Sequence, residues 1–208
     1  MCIYYCCRTG SGYGGYEYVE NVQSTQHGRT PRLVSQPFGG TGARGRCLTF
    51  WFFMHFQRFS PAADTYGELR VSLTLDSSNR SSTVVWELAE VSMPAKEWYY
   101  GAVGFYVPAA TTYTVAFEAV AGGVKSTIAL DDVIFKEASY CAVTPKMAAT
   151  DGVFPLPTRP VLTTRAPPPS QTTDKPPLYD CDFEQGFCGW HQQTEDESAS
   201  LRWLRQSA

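Results

Sequence analysis

Two cysteines, Cys47 and Cys141, bracket the longest run of strand-like sequence in the chain. The run opens with CLTFWFFMHF (47–56) and closes with IALDDVIFKEASYC (128–141). Between them lie short apolar stretches broken by turn signals, with almost no helical periodicity, a pattern that requires packed β-sheets. If the two cysteines pair, one bridge ties the first strand of the block to the end of its last. In the chain-entropy treatment, closing a loop of that size contributes roughly 4–5 kcal/mol. Such a bridge belongs to an oxidising, extracellular setting.

The strands can be read in order. In 15–22, Tyr16 and Tyr18 alternate with Glu17 and Val19, the mark of a half-buried strand. PRLVSQPF (31–38) is a second strand bounded by prolines, which suits an edge or a strand end. In the next strand Leu48, Phe50, Phe52, Met54 and Phe56 share one face, and Trp51 and Phe53 the other. Apolar residues on both faces predict a strand covered on both sides. Leu69, Val71, Leu73 and Leu75 then alternate with Glu68, Arg70, Ser72 and Thr74. TVVWEL (83–88), EWYYGAVGFYV (97–107), TTYTVAFEAVAG (111–122) and STIALDDVIF (126–135) follow at short intervals. The fold class is all-β, an antiparallel two-sheet jelly-roll sandwich.

Composition changes at Val143. From there to Leu178 the chain is rich in proline and threonine and has no apolar periodicity, so it predicts a disordered, stiffened Pro/Thr-rich linker (143–178). In the polyproline form about 36 residues reach on the order of 110 Å. Thr158, Thr163, Thr164, Thr172 and Thr173 suit either an O-glycosylated stalk or a bare spacer. At Tyr179 ordered-looking sequence resumes, but about thirty residues are too few for a core of their own.

Bulk properties exclude several classes. The chain has 208 residues, 43% hydrophobic and 14% aromatic, with a formal net charge of −3. That gives no electrostatic reason to bind nucleic acid. No stretch of 18 apolar residues reads as a transmembrane span. Seven cysteines without a zinc-type pair set read as disulfide partners, and the odd number leaves at least one thiol without a partner in this chain. Cys2, Cys6 and Cys7 have no assigned role. MCIYYCCRTG (1–10) is not a secretory leader, so the expectation is an internal piece of a larger secreted or membrane-anchored protein.

These residues carry a family resemblance. CDFEQGFCGW (181–190) resembles the opening of a MAM domain, the extracellular module of meprin, neuropilin and receptor-type tyrosine phosphatases. CLTFWFFMHF resembles its middle strand. GYEYVEN (15–21) and RLVSQPF (32–38) resemble the segments before that strand. YGELRVSL (66–73), EWYY (97–100), YTVAFEAVAG (113–122) and IALDDVIF (128–135) resemble the segments after it. The resemblance implies a non-family N-terminus at 1–9, a MAM domain lacking its first strands at 10–142, and the start of a second, truncated copy at 179–208. It also implies the pairings Cys47–Cys141 and Cys181–Cys188.

Candidate sites are few. Asp131 and Asp132 interrupt an apolar strand, and strict alternation would turn one of them toward covered surface. In modules of similar shape such an aspartate, with a glutamate of the opening segment (here Glu184), would hold a structural calcium ion; hydrogen bonding to turn amides is the competing reading. Asn79-Arg80-Ser81 is an N-glycosylation sequon in a turn. His27, His55 and His191 lack metal spacing, and His55 reads as a satisfied core or rim histidine. No nucleophile motif is present, so the chain is not read as an enzyme. Trp86, Trp98, Tyr99, Tyr100, Phe105 and Tyr106 either fill the core or form a sugar-stacking platform.

The expected function is therefore a non-catalytic extracellular interaction or cell-adhesion module with protein partners, homophilic ones included. The alternatives are the accessory MAM region of a secreted metalloprotease and a carbohydrate-binding jelly roll.

Overall fold

The architecture follows from period-two patterning, which gives ten strands among the described residues. A computed structural model describes residues 14–21, 28–57, 67–76, 82–89, 96–123, 125–137, 141–151, 180–193 and 201–206. Asn79, His27, Cys2, Cys6, Cys7 and the five spacer threonines lie outside the described residues. The strands are β1 (Tyr16–Asn21), β2 (Arg32–Val34), β3 (Arg46–Gln57), β4 (Glu68–Leu75) and β5 (Ser82–Leu88). They continue with β6 (Tyr99–Phe105), β7 (Tyr113–Val120), β8 (Lys125–Glu137), β9 (His191–Gln193) and β10 (Leu204–Gln206). The first sheet has the order β10-β1-β8-β3-β6 and the second β5-β4-β7-β2-β9. Every pairing is antiparallel, so the fold is an all-β two-sheet sandwich of the jelly-roll kind.

β3 shows why the sheets stack. Leu48, Phe50, Phe52 and Met54 point into the space between the sheets and are fully buried. From the second sheet, Leu69, Val71, Leu73, Val115 and Phe117 meet them. The aromatic rings form a continuous file across the sandwich. Trp86 touches Phe50 (5.1 Å between centroids), Phe50 touches Phe117 (4.9 Å), and Phe117 touches Trp190 (5.5 Å). Edge-on contacts of this kind add to the burial of large apolar surface.

β8 departs from simple alternation. Thr49 faces Ile134 and Trp51 faces Asp131, so Asp132 and Val133 together oppose the single residue Phe50. The extra residue is a β-bulge, and Asp132 takes the left-handed conformation at φ 47°. Leu130 and Val133 consequently both point into the core, while Asp131 and Asp132 both stay half-exposed. The expectation that alternation would cover one of these carboxylates is thus overturned by the bulge. Asp131 Oδ1 accepts a hydrogen bond of 2.7 Å from the Asp132 N–H, which supports the turn locally.

β1 also has an unexpected inside. Glu17 and Val19 face the core and the two tyrosines face out. β2, bounded by its prolines, lies between β7 and β9.

The two open sides of the sandwich are closed by the described residues on either side of 152–179. On one side the chain leaves Cys141 and exchanges two hydrogen bonds with β6: Ala102 N–H to Thr144 O (3.0 Å), and Thr144 N–H to Ala102 O (2.9 Å). It then crosses to the second sheet, buries Ala148, and donates from Thr150 Oγ1 to Val84 O at 3.0 Å. Residues 143–151, expected to begin the spacer, are instead packed on the sandwich, because Val143 and Ala148 supply apolar contacts and Thr144 supplies backbone partners.

On the opposite side, residues 180–193 and 201–206 supply both edge strands: β9 pairs with β2, and β10 pairs with β1. Cys181 exchanges two 2.8 Å backbone hydrogen bonds with Val133. Phe183, Trp190, Leu201 and Trp203 enter the common core. The sequence expectation leaves residues 10–142 without their first strands and places 179–208 in a separate copy. In the structure, residues 180–193 and 201–206 occupy that open place. The physical reason is direct: β1 and β2 offer unpaired sheet edges and an apolar cleft, and this segment has the matching strands and aromatic side chains. Gly15 marks the closeness of the fit, since a Cβ there would lie 2.3 Å from the Phe183 carbonyl oxygen.

Candidate functional site

The outward residues of the first sheet form an aromatic shelf. β3 sends Trp51, Phe53 and His55 to this face, β1 sends Tyr16 and Tyr18, and β6 sends Tyr100. In the register, Ala129 of β8 lies between Tyr18 and Phe53, and its small side chain leaves room for the larger rings to lean together. Trp98, just before β6, meets Tyr16 edge-on at 5.7 Å and Phe53 at 6.0 Å. Trp51 meets Tyr100 edge-on at 5.5 Å. Asp131 stands opposite Trp51 in the same row, placing a carboxylate among the rings. Phe53 is 7% exposed and Tyr100 is 40% exposed, so the shelf is covered at its centre and open at the β6 end.

This arrangement divides the aromatic residues singled out from the sequence. Trp86 and Phe105 are fully buried between the sheets, and Tyr99 stacks on Phe52 at 5.9 Å. Trp98 and Tyr100 belong to the outer shelf, and Tyr106 is half-buried. The doubly apolar pattern of β3 therefore has two different covers: a second sheet inside and a layer of aromatic side chains outside.

The sulfur chemistry is explicit. Cys47 and Cys141 are bonded at 2.07 Å, and Cys181 and Cys188 at 2.11 Å. The first bridge fastens β3 to the segment that crosses the β6 edge. The second lies wholly within residues 180–193.

The calcium ligands suggested by the sequence lie on two separate elements. Asp131 and Asp132 sit on the bulge of β8, while Glu184 is exposed in the loop after Cys181. Among the described residues no group of three or more His, Cys, Asp or Glu could share a metal ion. Glu184 contributes its carbonyl oxygen, which accepts from the Arg205 guanidinium; Arg205 Nε also donates to Phe183 O at 2.9 Å.

Three titratable groups stand out. Glu17 is fully buried, and neither carboxylate oxygen has a hydrogen-bond partner among the described residues. Burial pushes its pKa up to about 7, and the Arg205 charge on the neighbouring strand pulls it down. Asp180 is also raised by burial, although its Oδ1 accepts a 2.8 Å hydrogen bond from the Phe135 N–H. His55 is lowered by burial and by Lys96, and its Nε2 has no hydrogen-bond partner among the described residues. The expected satisfied histidine is therefore only half so: its ring packs on Phe53 while this nitrogen lacks a bond. His191 is exposed at the start of β9.

Sequence reasoning missed the inward Glu17 and the seating of the last residues. A signal for the second existed: Leu201 and Trp203 alternate with Arg202, as a strand entering a core should. Nothing comparable announced that Glu17, rather than Tyr16 and Tyr18, faces inward.

With the geometry in view, the likeness to known proteins can be stated. Residues 7–142 match the family described as MAM domain, meprin/A5/mu. The MAM domain-containing glycosylphosphatidylinositol anchor protein 2 of Mus musculus is 28% identical over 139 residues, covering 62% of this chain and 13% of that protein. The Homo sapiens protein of the same name shows the same identity and coverage. The chain thus spans 13% of the length of these curated relatives. Since the match extends over more than half of its length, the chain belongs to the MAM domain family.

Proposed function

We propose that the chain is a non-catalytic extracellular module for protein–protein contact and adhesion, and that it binds through the aromatic shelf of the first sheet. The observation that carries this reading is the Trp51–Tyr100 pair, which presents ring surface at the open end of a half-buried aromatic face. Exposed aromatic residues beside covered ones have the character of interface anchors. Two disulfides support an extracellular setting. Among the described residues no helix is long and apolar enough to cross a membrane, and the relatives are named for a lipid anchor. The partner is a second copy of the module, presented by an opposing surface.

The test is aggregation of beads coated with the full chain. Tyr100→Ala combined with Trp51→Ala should abolish clustering while leaving the unfolding midpoint within a few degrees. Unchanged clustering of that variant would remove the shelf from consideration. A second reading is favoured by Asp131, because a carboxylate within a row of rings also suits a glycan. Retention on a glycan array, lost on Asp131→Ala and Tyr100→Ala, would select that reading.

A further inference from the structure

We propose that residues 180–206 form a transferable closing segment, and that two copies of the chain exchange these segments so that each completes the other's sandwich. The inference is independent of the adhesive reading above. It rests on how the segment is built and how it is held.

The segment is complete as a unit of exchange. It contributes β9 to one sheet and β10 to the other, on the same side of the sandwich. Its Phe183, Trp190, Leu201 and Trp203 are all buried in the core formed with the rest of the chain. Its contacts with that body are noncovalent: the Cys181–Val133 backbone pair, the Phe135 N–H to Asp180 Oδ1 bond, and the Trp203 Nε1–H to Pro31 O bond at 3.2 Å. Arg32 extends an ion pair to Glu118 at 3.0 Å and donates to Gln193 Oε1 at 3.2 Å, joining β7, β2 and β9. Both disulfides respect the boundary, one inside the body and one inside the segment. No covalent bond must therefore break for the segment to leave its seat.

The connection permits the exchange. Residues 152–179 separate the two parts and contain Pro155, Pro157, Pro160 and five further prolines. At no more than about 3.3–3.6 Å per residue, a stretch of this length can span up to on the order of 90–100 Å, beyond the dimensions of the body it leaves. Native contacts are identical in the closed and exchanged forms, so tether entropy and chain concentration set the balance. Dilute chains close on themselves. Concentrated or surface-crowded chains pair, and a reciprocal pair leaves β1 and β2 as fully paired as in the closed chain.

Register supplies the test. Tyr18 of β1 faces Leu204 of β10. In a full-length background with Cys2, Cys6 and Cys7 changed to serine, two single variants are prepared, Tyr18→Cys and Leu204→Cys. They are mixed, unfolded without reduction, refolded together and oxidised. Exchange predicts a heterodimer linked through the two new cysteines, in excess over either homodimer. Its ratio to monomer rises about tenfold for a tenfold rise in concentration in the dilute regime. The double variant, refolded at high dilution, should close within one chain. Adding Trp203→Asp should abolish both links. If the double variant closes but the mixed singles yield no heterodimer excess at any concentration, exchange is excluded. If the double variant does not close either, the seat itself is refuted. Tyr100→Ala must leave the heterodimer unchanged, which separates this outcome from a failure of the adhesive reading.

Discussion

The two sides of the sandwich are closed by similar means and held by different ones. At each, a buried indole donates to a backbone carbonyl where a connecting segment meets the sheets. Trp86 Nε1–H reaches Thr144 O at 2.8 Å on the first side, and Trp203 Nε1–H reaches Pro31 O at 3.2 Å on the second. At each, the segment bridges both sheets. The first is stapled to β3 by Cys47–Cys141 and follows β8 closely in the chain. The second follows the proline-rich residues 152–179, and its own disulfide braces it without fastening it. The lesson is that similar burial can be secured in different ways: one closure is fastened by a disulfide, and the other is held by noncovalent contacts.

The largest effect should come from the staple. Replacing Cys47 and Cys141 by serine should lower unfolding stability by about 4–5 kcal/mol, against roughly 2–3 kcal/mol for the Cys181 and Cys188 pair, because the closed loop is much longer. Chemical denaturation of both variants checks the ratio, and equal losses would break the comparison.

Next in size is the aromatic anchor. Trp203→Ala removes a fully buried side chain and should cost about 3–5 kcal/mol. Hydrogen exchange should then rise first along β1 and β2 and leave the Trp86 side protected.

Glu17 offers a pH test of the same region. Its folded carboxyl titrates near 7 and its unfolded one near 4.5, so the folded state binds the extra proton between those values. Stability is therefore greatest below about pH 4.5 as far as this group is concerned, falls as pH rises to about 7, and is level above. Glu17→Leu should flatten that slope and gain about 2–3 kcal/mol at pH 8. Melting curves across this range provide the measurement, and a rising slope in the native chain would contradict it.

The smallest effect concerns the entry of the segment. Asp180→Ala loses the bond from the Phe135 N–H and should cost about 1 kcal/mol. Proteolysis near Tyr179 should accelerate, with no change at the Thr144 side.

Much of this was legible in the residues. The alternation in β3 and β4 assigns Leu48, Phe50, Phe52, Leu69, Val71 and Leu73 to the inner face, because period two leaves little choice once one face is apolar. The outer shelf was half legible: Trp51 and Phe53 were visibly on the second face, but their partners Tyr16, Trp98 and Tyr100 come from elements far apart in the chain. The bulge at Asp132 was not legible, since an inserted residue shows only against the register of its neighbour. Nor was the inward Glu17, which has the wrong polarity for its side.

By itself the sequence determined that this chain forms antiparallel strands, which faces of most of them are buried, and where composition gives way to a proline-rich stretch. Those are local properties, set by alternation and by backbone freedom residue by residue. Only the tertiary structure decided that residues 180–206 close the sandwich and that both aspartates of β8 escape burial. Strand neighbours are chosen by which edges and clefts remain open once everything else has packed, and no local pattern encodes that.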